Sequence, residues 1–111
     1  MTVWIEPRLP GQRCARTYGD ALLAEARGEH EMAAAGFADA AVGWRGFGVS
    51  YEEGHALLAQ GRCLLALGRA PEAAAPLAAA REIFARLGAK PALADADAVL
   101  AAAGVSPEVG R

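Results

Sequence analysis

The chain has 111 residues, which is enough for one domain with a buried core and too few for two ordinary domains. Hydrophobic residues make up 54% of the chain and charged residues 22%, which excludes a disordered, highly charged protein. The formal net charge is −2, so the composition gives no electrostatic case for binding nucleic acid or an anionic membrane. Alanine, the strongest helix former, supplies about a quarter of the residues and favours a helical fold.

The first segment, residues 1–12, is predicted to form an extended arm. It has no basic stretch followed by an apolar run, as a secretory signal would, and no part of the sequence has the roughly 18 apolar residues of a membrane span. Cys14 and Cys63 lack the C-x-x-C spacing of redox or zinc sites. We therefore expect two reduced thiols, no disulfide between them and a cytoplasmic protein.

An internal repeat follows the arm, because residues 14–48 match residues 54–88 at an offset of 40 positions. In each copy, apolar or small residues recur at spacings of three and four, the pattern that one face of an α-helix buries. Glycines close the apolar runs at Gly28, Gly48, Gly68 and Gly88. The pattern predicts four helices, with a core built from the larger residues of the stripe: Phe37, Trp44, Phe47, Leu77, Phe84 and Leu87.

Several residues indicate where helices begin and end. Residues 50–53 have the spacing of a capping box, in which the Ser50 hydroxyl accepts a hydrogen bond from the Glu53 amide. Pro71 and Pro91 each suit the first position of a helix, and the second of these starts a fifth helix that Gly104 ends.

Three other residues interrupt the helical pattern. Pro76 is expected to bend the fourth helix, because it removes a backbone hydrogen bond. Gly43 and Gly46 lie within the second helix and mark either a close backbone approach or local fraying.

The pattern resembles the tetratricopeptide repeat, in which two antiparallel helices cross at small residues. The resemblance rests on residues 57–80, LLAQGRCLLALGRAPEAAAPLAAA. In the second unit, small residues stand in the two helices and in the turn between them, at Gly61, Gly68, Ala73 and Ala80. In the first unit the corresponding positions are Ala21, Gly28, Ala33 and Ala40, with the aromatic Phe37 between the last two. The period of 40 residues exceeds the usual value of about 34, and no proline closes the unit at the usual place.

The resemblance implies an all-α fold of antiparallel helix pairs stacked as a short right-handed solenoid. This domain would span residues 13–104 with about two units and a fifth helix, and residues 105–111 would form a tail. Longer units of this sort are similar to the helical-repeat regions of large bacterial LuxR-type ATP-dependent transcription regulators and cyclase-associated regulators. Residues 81–104 resemble the last repeat of such regions.

No residue pattern predicts catalysis, a metal or a cofactor. His30-Glu31 begins like the H-E-x-x-H zinc motif, but Ala34 stands where the second histidine belongs, and we expect His30 to be exposed. The acidic residues beside His55, at positions 52 and 53, fall in the first turn of a helix, where the helix dipole explains them. We therefore expect a non-catalytic protein.

The resemblance also implies a concave groove lined by the first helix of each unit. The predicted groove residues are Tyr18, Leu22, Glu25, His55, Leu58, Arg62 and Leu65. Arg62 would be the polar anchor for a protein or peptide segment, with Glu25 as its ion-pair partner in the unbound state. The alternative for these residues is that they face solvent or another part of the native protein.

The resemblance thus implies a non-catalytic protein–protein interaction module that is part of, or associated with, a bacterial signalling or transcriptional regulator. A second hypothesis is a small stand-alone structural protein that self-associates, for example as a homodimer, through the open ends of its solenoid.

Overall fold

A computed structural model of the chain describes residues 10–104, and every regular element in that range is an α-helix, as predicted. The five helices begin at intervals of 20 residues: α1 Pro10–Ala26, α2 His30–Gly46, α3 Ser50–Ala66, α4 Ala70–Leu87 and α5 Lys90–Ala102. The predicted arm is wrong at residues 10–12, which belong to α1 because Pro10 is compatible with the start of a helix. The rest of the arm and the predicted tail at 105–111 lie outside the described residues.

Each helix is followed by a glycine in a left-handed conformation. The φ angles are 80° at Gly28, 73° at Gly48, 76° at Gly68, 70° at Gly88 and 80° at Gly104. After α1, the amide of Glu29 donates to the carbonyl of Ala24 at 2.9 Å, and the same bond recurs after α2, α3 and α4. These bonds satisfy carbonyls that the end of a helix leaves unpaired, and glycine allows them because it has no Cβ.

The core repeats at the offset of 40 residues. Phe37 in α2 and Leu77 in α4 are both 0% exposed, as their equivalence in the sequence predicted. Both lie between buried alanines, and the larger side chains Trp44 and Phe84, two turns further on, are also buried. Alanine at the flanking positions lets neighbouring helices approach, while the larger residues supply most of the buried apolar area.

Two residues predicted for the core are instead on the surface. Phe47 is 53% exposed and Leu87 is 47% exposed. Phe47 caps α2 and Leu87 is the last residue of α4, so the chain turns away at the following glycine before the stripe is completed. The stripe alone could not show this, because both positions keep the helical spacing.

The predicted capping box at the start of α3 is wrong. Ser50 is the first helical residue, the capping position belongs to Val49, and no side chain there bonds to the helix. The Glu53 carboxylate instead accepts a hydrogen bond from Arg45 Nε at 2.9 Å, which satisfies the acid although Glu53 is buried. This ion pair joins the end of α2 to the start of α3.

Glycines inside helices mark close contacts between them. A Cβ built at Gly43 would lie 2.5 Å from the Sγ of Cys14, so of the two readings of this glycine the close approach is the one observed. Gly46 has no such neighbour and is the last residue of α2. A Cβ at Gly61 would lie 2.4 Å from the buried Leu77 side chain, so only glycine fits there without repacking. Pro76 is accommodated inside α4.

The helices pack against their neighbours in chain order, and α3 also contacts α5. The molecule measures 57 × 31 × 20 Å along its principal axes. None of the helices α1 to α5, which make up the described part of the chain, combines the length and the hydropathy of a membrane span.

Candidate functional site

An ion pair between α1 and α3 is the most specific polar feature of the predicted groove. Arg62 Nε donates to one Glu25 carboxylate oxygen at 2.7 Å, and Arg62 Nη2 donates to the other at 2.8 Å. This two-pronged geometry matches the planar guanidinium to the planar carboxylate. The side chain of Glu25 is 20% exposed and that of Arg62 is 44% exposed, so solvent and partners still reach the pair. The predicted pairing of Glu25 with Arg62 is confirmed.

The pair changes the acid–base behaviour of both residues. The hydrogen bonds from Arg62 lower the pKa of Glu25, although burial of the carboxyl acts in the opposite direction. The same bonds raise the pKa of Arg62. Both groups are therefore charged throughout the neutral pH range.

Cys63 and Tyr18 flank this ion pair. Burial, with a smaller contribution from the Glu25 carboxylate, raises the pKa of the Cys63 thiol to about 11. A thiol with this pKa is almost entirely protonated at neutral pH and is a poor nucleophile. Burial also raises the pKa of the Tyr18 phenol, which feels the charges of both Arg62 and Glu25. Both cysteines are free and buried.

A cavity of about 260 Å³ lies beside Tyr18 and extends the site toward the end of α2 and the start of α3. Its lining consists of three aromatic residues, one acid and one imidazole: Tyr18, Trp44, Tyr51, Glu52 and His55. Tyr18 is therefore shared by the cavity and the surroundings of the ion pair. The two features form one site, which we refer to as the α1–α3 groove.

Aromatic contacts fix the walls of the cavity. Tyr18 packs edge-on against the buried Phe37, with 5.3 Å between ring centroids. Tyr51 and His55, one turn apart on α3, stand edge to face at 4.6 Å. Both also approach Phe84, at 6.0 Å and 5.0 Å respectively. The walls are thus supported by core residues of α2 and α4 and do not depend on solvent-exposed contacts alone.

The predicted groove residues differ in how accessible they are. The structure brings Tyr18, Glu25 and Arg62 together, and the cavity connects His55 to Tyr18. Leu22 is 40% exposed, and Leu65 is partly buried against the core.

Leu58 does not belong to the accessible surface, since it is only 5% exposed and forms part of the core. Helical spacing predicts a groove position for Leu58, because it lies three residues from His55 and four from Arg62. Neighbouring helices cover that position, which spacing along one helix could not reveal.

Sequence reasoning missed three of the cavity residues, namely Trp44, Tyr51 and Glu52. Trp44 was assigned to the core stripe, which its burial supports, but it also lines the cavity. The sequence gives Tyr51 a place only within the capping motif, and the helix dipole accounts for Glu52 as an acid beside His55. The available signal was the aromatic and acidic composition on both sides of the turn between α2 and α3.

His30 is also placed differently from the prediction. It is the first residue of α2 and is partly buried, with its Nδ1 atom buried and without a hydrogen-bond partner among the described residues. His30 also makes a small contribution to the lowered pKa of Glu25. Within residues 10–104 no group of three His, Cys, Asp or Glu side chains is arranged to hold a metal ion.

Comparison with protein-family models, curated proteins and solved structures finds no match for this chain. The groove itself is therefore the basis for inferring what the protein does.

Proposed function

We propose that this protein is a non-catalytic interaction module that binds a protein segment in the α1–α3 groove. The observation that carries the proposal is the Glu25–Arg62 ion pair beside the aromatic cavity. An accessible charged anchor next to an aromatic recess is the combination that protein interfaces use for their strongest contacts.

Arg62 can act as an anchor without losing Glu25. A guanidinium has five N–H donors, and Glu25 engages one on Nε and one on Nη2. The remaining donors can bind a carboxylate or carbonyl of a partner while Glu25 holds the side chain in a fixed orientation. An arginine that is already oriented loses less conformational entropy on binding than a freely moving one.

The proposal includes an arrangement of the helices as antiparallel pairs stacked into a short right-handed solenoid, with residues 13–104 as the repeat domain. Ion pairs at offsets close to one unit support it, because Glu25–Arg62 and Glu31–Arg69 span 37 and 38 positions. In such a stack α1 and α3 line the same surface.

The biological setting that we propose is a bacterial signalling or transcriptional regulator. This part rests on the resemblance of residues 57–80 and 81–104 to the repeat regions of such proteins. The proposed binding of a segment in the α1–α3 groove does not depend on this resemblance.

Affinity capture from the native cell extract tests the groove. The baits are the wild-type protein, Arg62→Ala and Arg69→Ala. Arg69→Ala is the control, because Arg69 is also partly exposed and forms an ion pair with Glu31, about one repeat unit away in the chain. We expect wild-type and Arg69→Ala to capture the same protein and Arg62→Ala to lose it, with unchanged helicity by circular dichroism. Equal capture by Arg62→Ala would remove Arg62 from the proposal.

Self-association is the second candidate function, and a different observation favours it. Four exposed large apolar side chains belong to the first two helices: Leu22, Leu23, Met32 and Val42. A second copy could cover them. Sedimentation equilibrium of the wild type and of Met32→Glu would then show a dimer that the variant weakens, whereas a monomer at all concentrations would exclude this candidate.

A further inference from the structure

The cavity in the α1–α3 groove has the composition of a cation-binding site. Tyr18, Trp44 and Tyr51 contribute aromatic rings, and Glu52 contributes a carboxylate. The electron-rich face of an aromatic ring attracts a cation, and an acid beside it adds a full negative charge. We propose that this cavity binds the guanidinium of an arginine side chain in the partner segment. The inference rests on the proposed function and names the group that the partner supplies.

The charges around the cavity support a cationic occupant. Glu52 takes part in none of the ion pairs formed among the described residues. Its neighbour Glu53 neutralises Arg45, the cation next in sequence to Trp44, at 2.9 Å. Glu52 is thus the residue whose negative charge is left to face an occupant of the cavity.

The size of the cavity indicates a single side chain. Its volume of about 260 Å³ is below the roughly 300–1,000 Å³ of pockets that hold drug-sized ligands. A planar guanidinium can stack on an aromatic ring and donate two hydrogen bonds to a carboxylate at once, which a compact ammonium cannot do. Arginine therefore satisfies both the rings and Glu52.

Tyr18 makes the two ends of the groove part of one recognition surface. It lines the cavity and also feels the charges of Glu25 and Arg62. A segment lying along α1 and α3 can place an acidic group on Arg62 and an arginine in the cavity. The inferred partner thus carries opposite charges at two nearby positions.

Titration with small probes tests the cavity without the partner. The probes are Nα-acetyl-arginine amide, its uncharged analogue Nα-acetyl-citrulline amide, and choline. Binding is followed through the Trp44 indole N–H signal in nitrogen-15 NMR spectra, and Trp4→Phe identifies the other indole signal. The titration is run at a pH of about 8, which is above the ordinary pKa of an imidazole.

We expect the arginine probe to shift the Trp44 signal and to bind at least about fivefold more tightly than the citrulline probe. Glu52→Gln should reduce this preference at least about threefold. Glu72→Gln is the matched control, because Glu72 is also exposed and occupies the same position in the first turn of α4. It should leave the preference unchanged, and Tyr51→Leu should weaken binding of the arginine probe.

Three results would overturn the inference. The first is equal binding of the arginine and citrulline probes, and the second is an unchanged preference for arginine in Glu52→Gln. The third is tighter binding of choline than of the arginine probe, which would make a free quaternary ammonium the occupant. Arg62→Ala should still bind the arginine probe, since Arg62 does not line the cavity. If the arginine probe does not bind but capture of the partner still depends on Arg62, the cation site alone is refuted. Probe binding without any Arg62-dependent capture would refute the proposed function alone.

Discussion

Glu25 and Arg62 are 37 positions apart in the chain, yet their side chains meet through two parallel hydrogen bonds of 2.7 and 2.8 Å. The pair connects α1 to α3 across the surface where we place the binding groove. It is also close to Cys63 and Tyr18, whose pKa values respond to its charges. A contact between side chains so far apart in sequence requires the two helices to be held in register, so it reports on the packing as well as on the site.

The strength of this ion pair can be measured with a double-mutant cycle of Glu25→Gln and Arg62→Gln. Because both side chains are partly exposed, we expect a coupling free energy of about 0.5–1 kcal/mol near pH 7. The pKa of Glu25 is below its ordinary value of 4.5 in the folded protein, so the coupling is fully present above that value. It should decline as the pH falls through the folded-state pKa. Urea unfolding at several pH values measures it, and a coupling that grows in acid would contradict the assignment.

Substituting glycine by alanine should have opposite effects at two helical positions. At Gly61 the added methyl group would meet Leu77 at 2.4 Å, so Gly61→Ala should destabilise the fold by about 1–3 kcal/mol. At Gly19 nothing lies within 4 Å, so Gly19→Ala should gain up to about 1 kcal/mol from better helix propensity. Chemical denaturation measures both free energies of unfolding. A stabilising Gly61→Ala would show that α3 and α4 pack less closely than the 2.4 Å approach to Leu77 requires.

Truncation of two leucines in α4 tests the corrected core. Leu77 is 0% exposed, and Leu77→Ala should cost about 2–5 kcal/mol through lost burial and the cavity that remains. Leu87 is 47% exposed, and Leu87→Ala should change the free energy of unfolding by less than about 1 kcal/mol. Thermal unfolding of both variants gives the comparison. Equal losses would restore Leu87 to the core that the sequence stripe had predicted.

The thiol of Cys63 should react slowly in the folded protein. A pKa raised from 9.0 to about 11 lowers its thiolate fraction near pH 8 by about 100-fold. Iodoacetamide labelling of a Cys14→Ser variant, in buffer and in urea, isolates this effect, and we expect a folded rate at least about 100 times lower. Rates within a few-fold of each other would mean that the thiol is neither buried nor influenced by Glu25.

The predictable part of the fold comes from features that repeat along the chain. Glycines such as Gly28 and Gly68 identified the turns because the left-handed conformation excludes most other residues. The equal burial of Phe37 and Leu77 followed from their shared place in the repeat. At the helix ends, helical spacing no longer predicts burial. The chain turns at the glycine after Phe47 and after Leu87, and both side chains remain exposed.

The candidate site was predictable only where it follows one helix face. Arg62 and Glu25 could be paired because each lies on the face that the first helix of a unit was expected to present. The cavity joins Trp44 from the end of α2 to Tyr51 and Glu52 from the start of α3. Its position depends on the direction of the turn between those helices, which helical spacing does not encode.

Site-specific photo-crosslinking most directly tests the claim that the α1–α3 groove binds a protein segment. A photoreactive phenylalanine analogue is placed at Leu22, an exposed groove position, or at Val42, an exposed position on α2 outside the predicted groove. In the native cell extract we expect the probe at Leu22 to crosslink one protein, and Arg62→Ala to abolish that product, whereas the probe at Val42 yields none. Crosslinking of the same protein from Val42, or from Leu22 regardless of Arg62, would contradict the account.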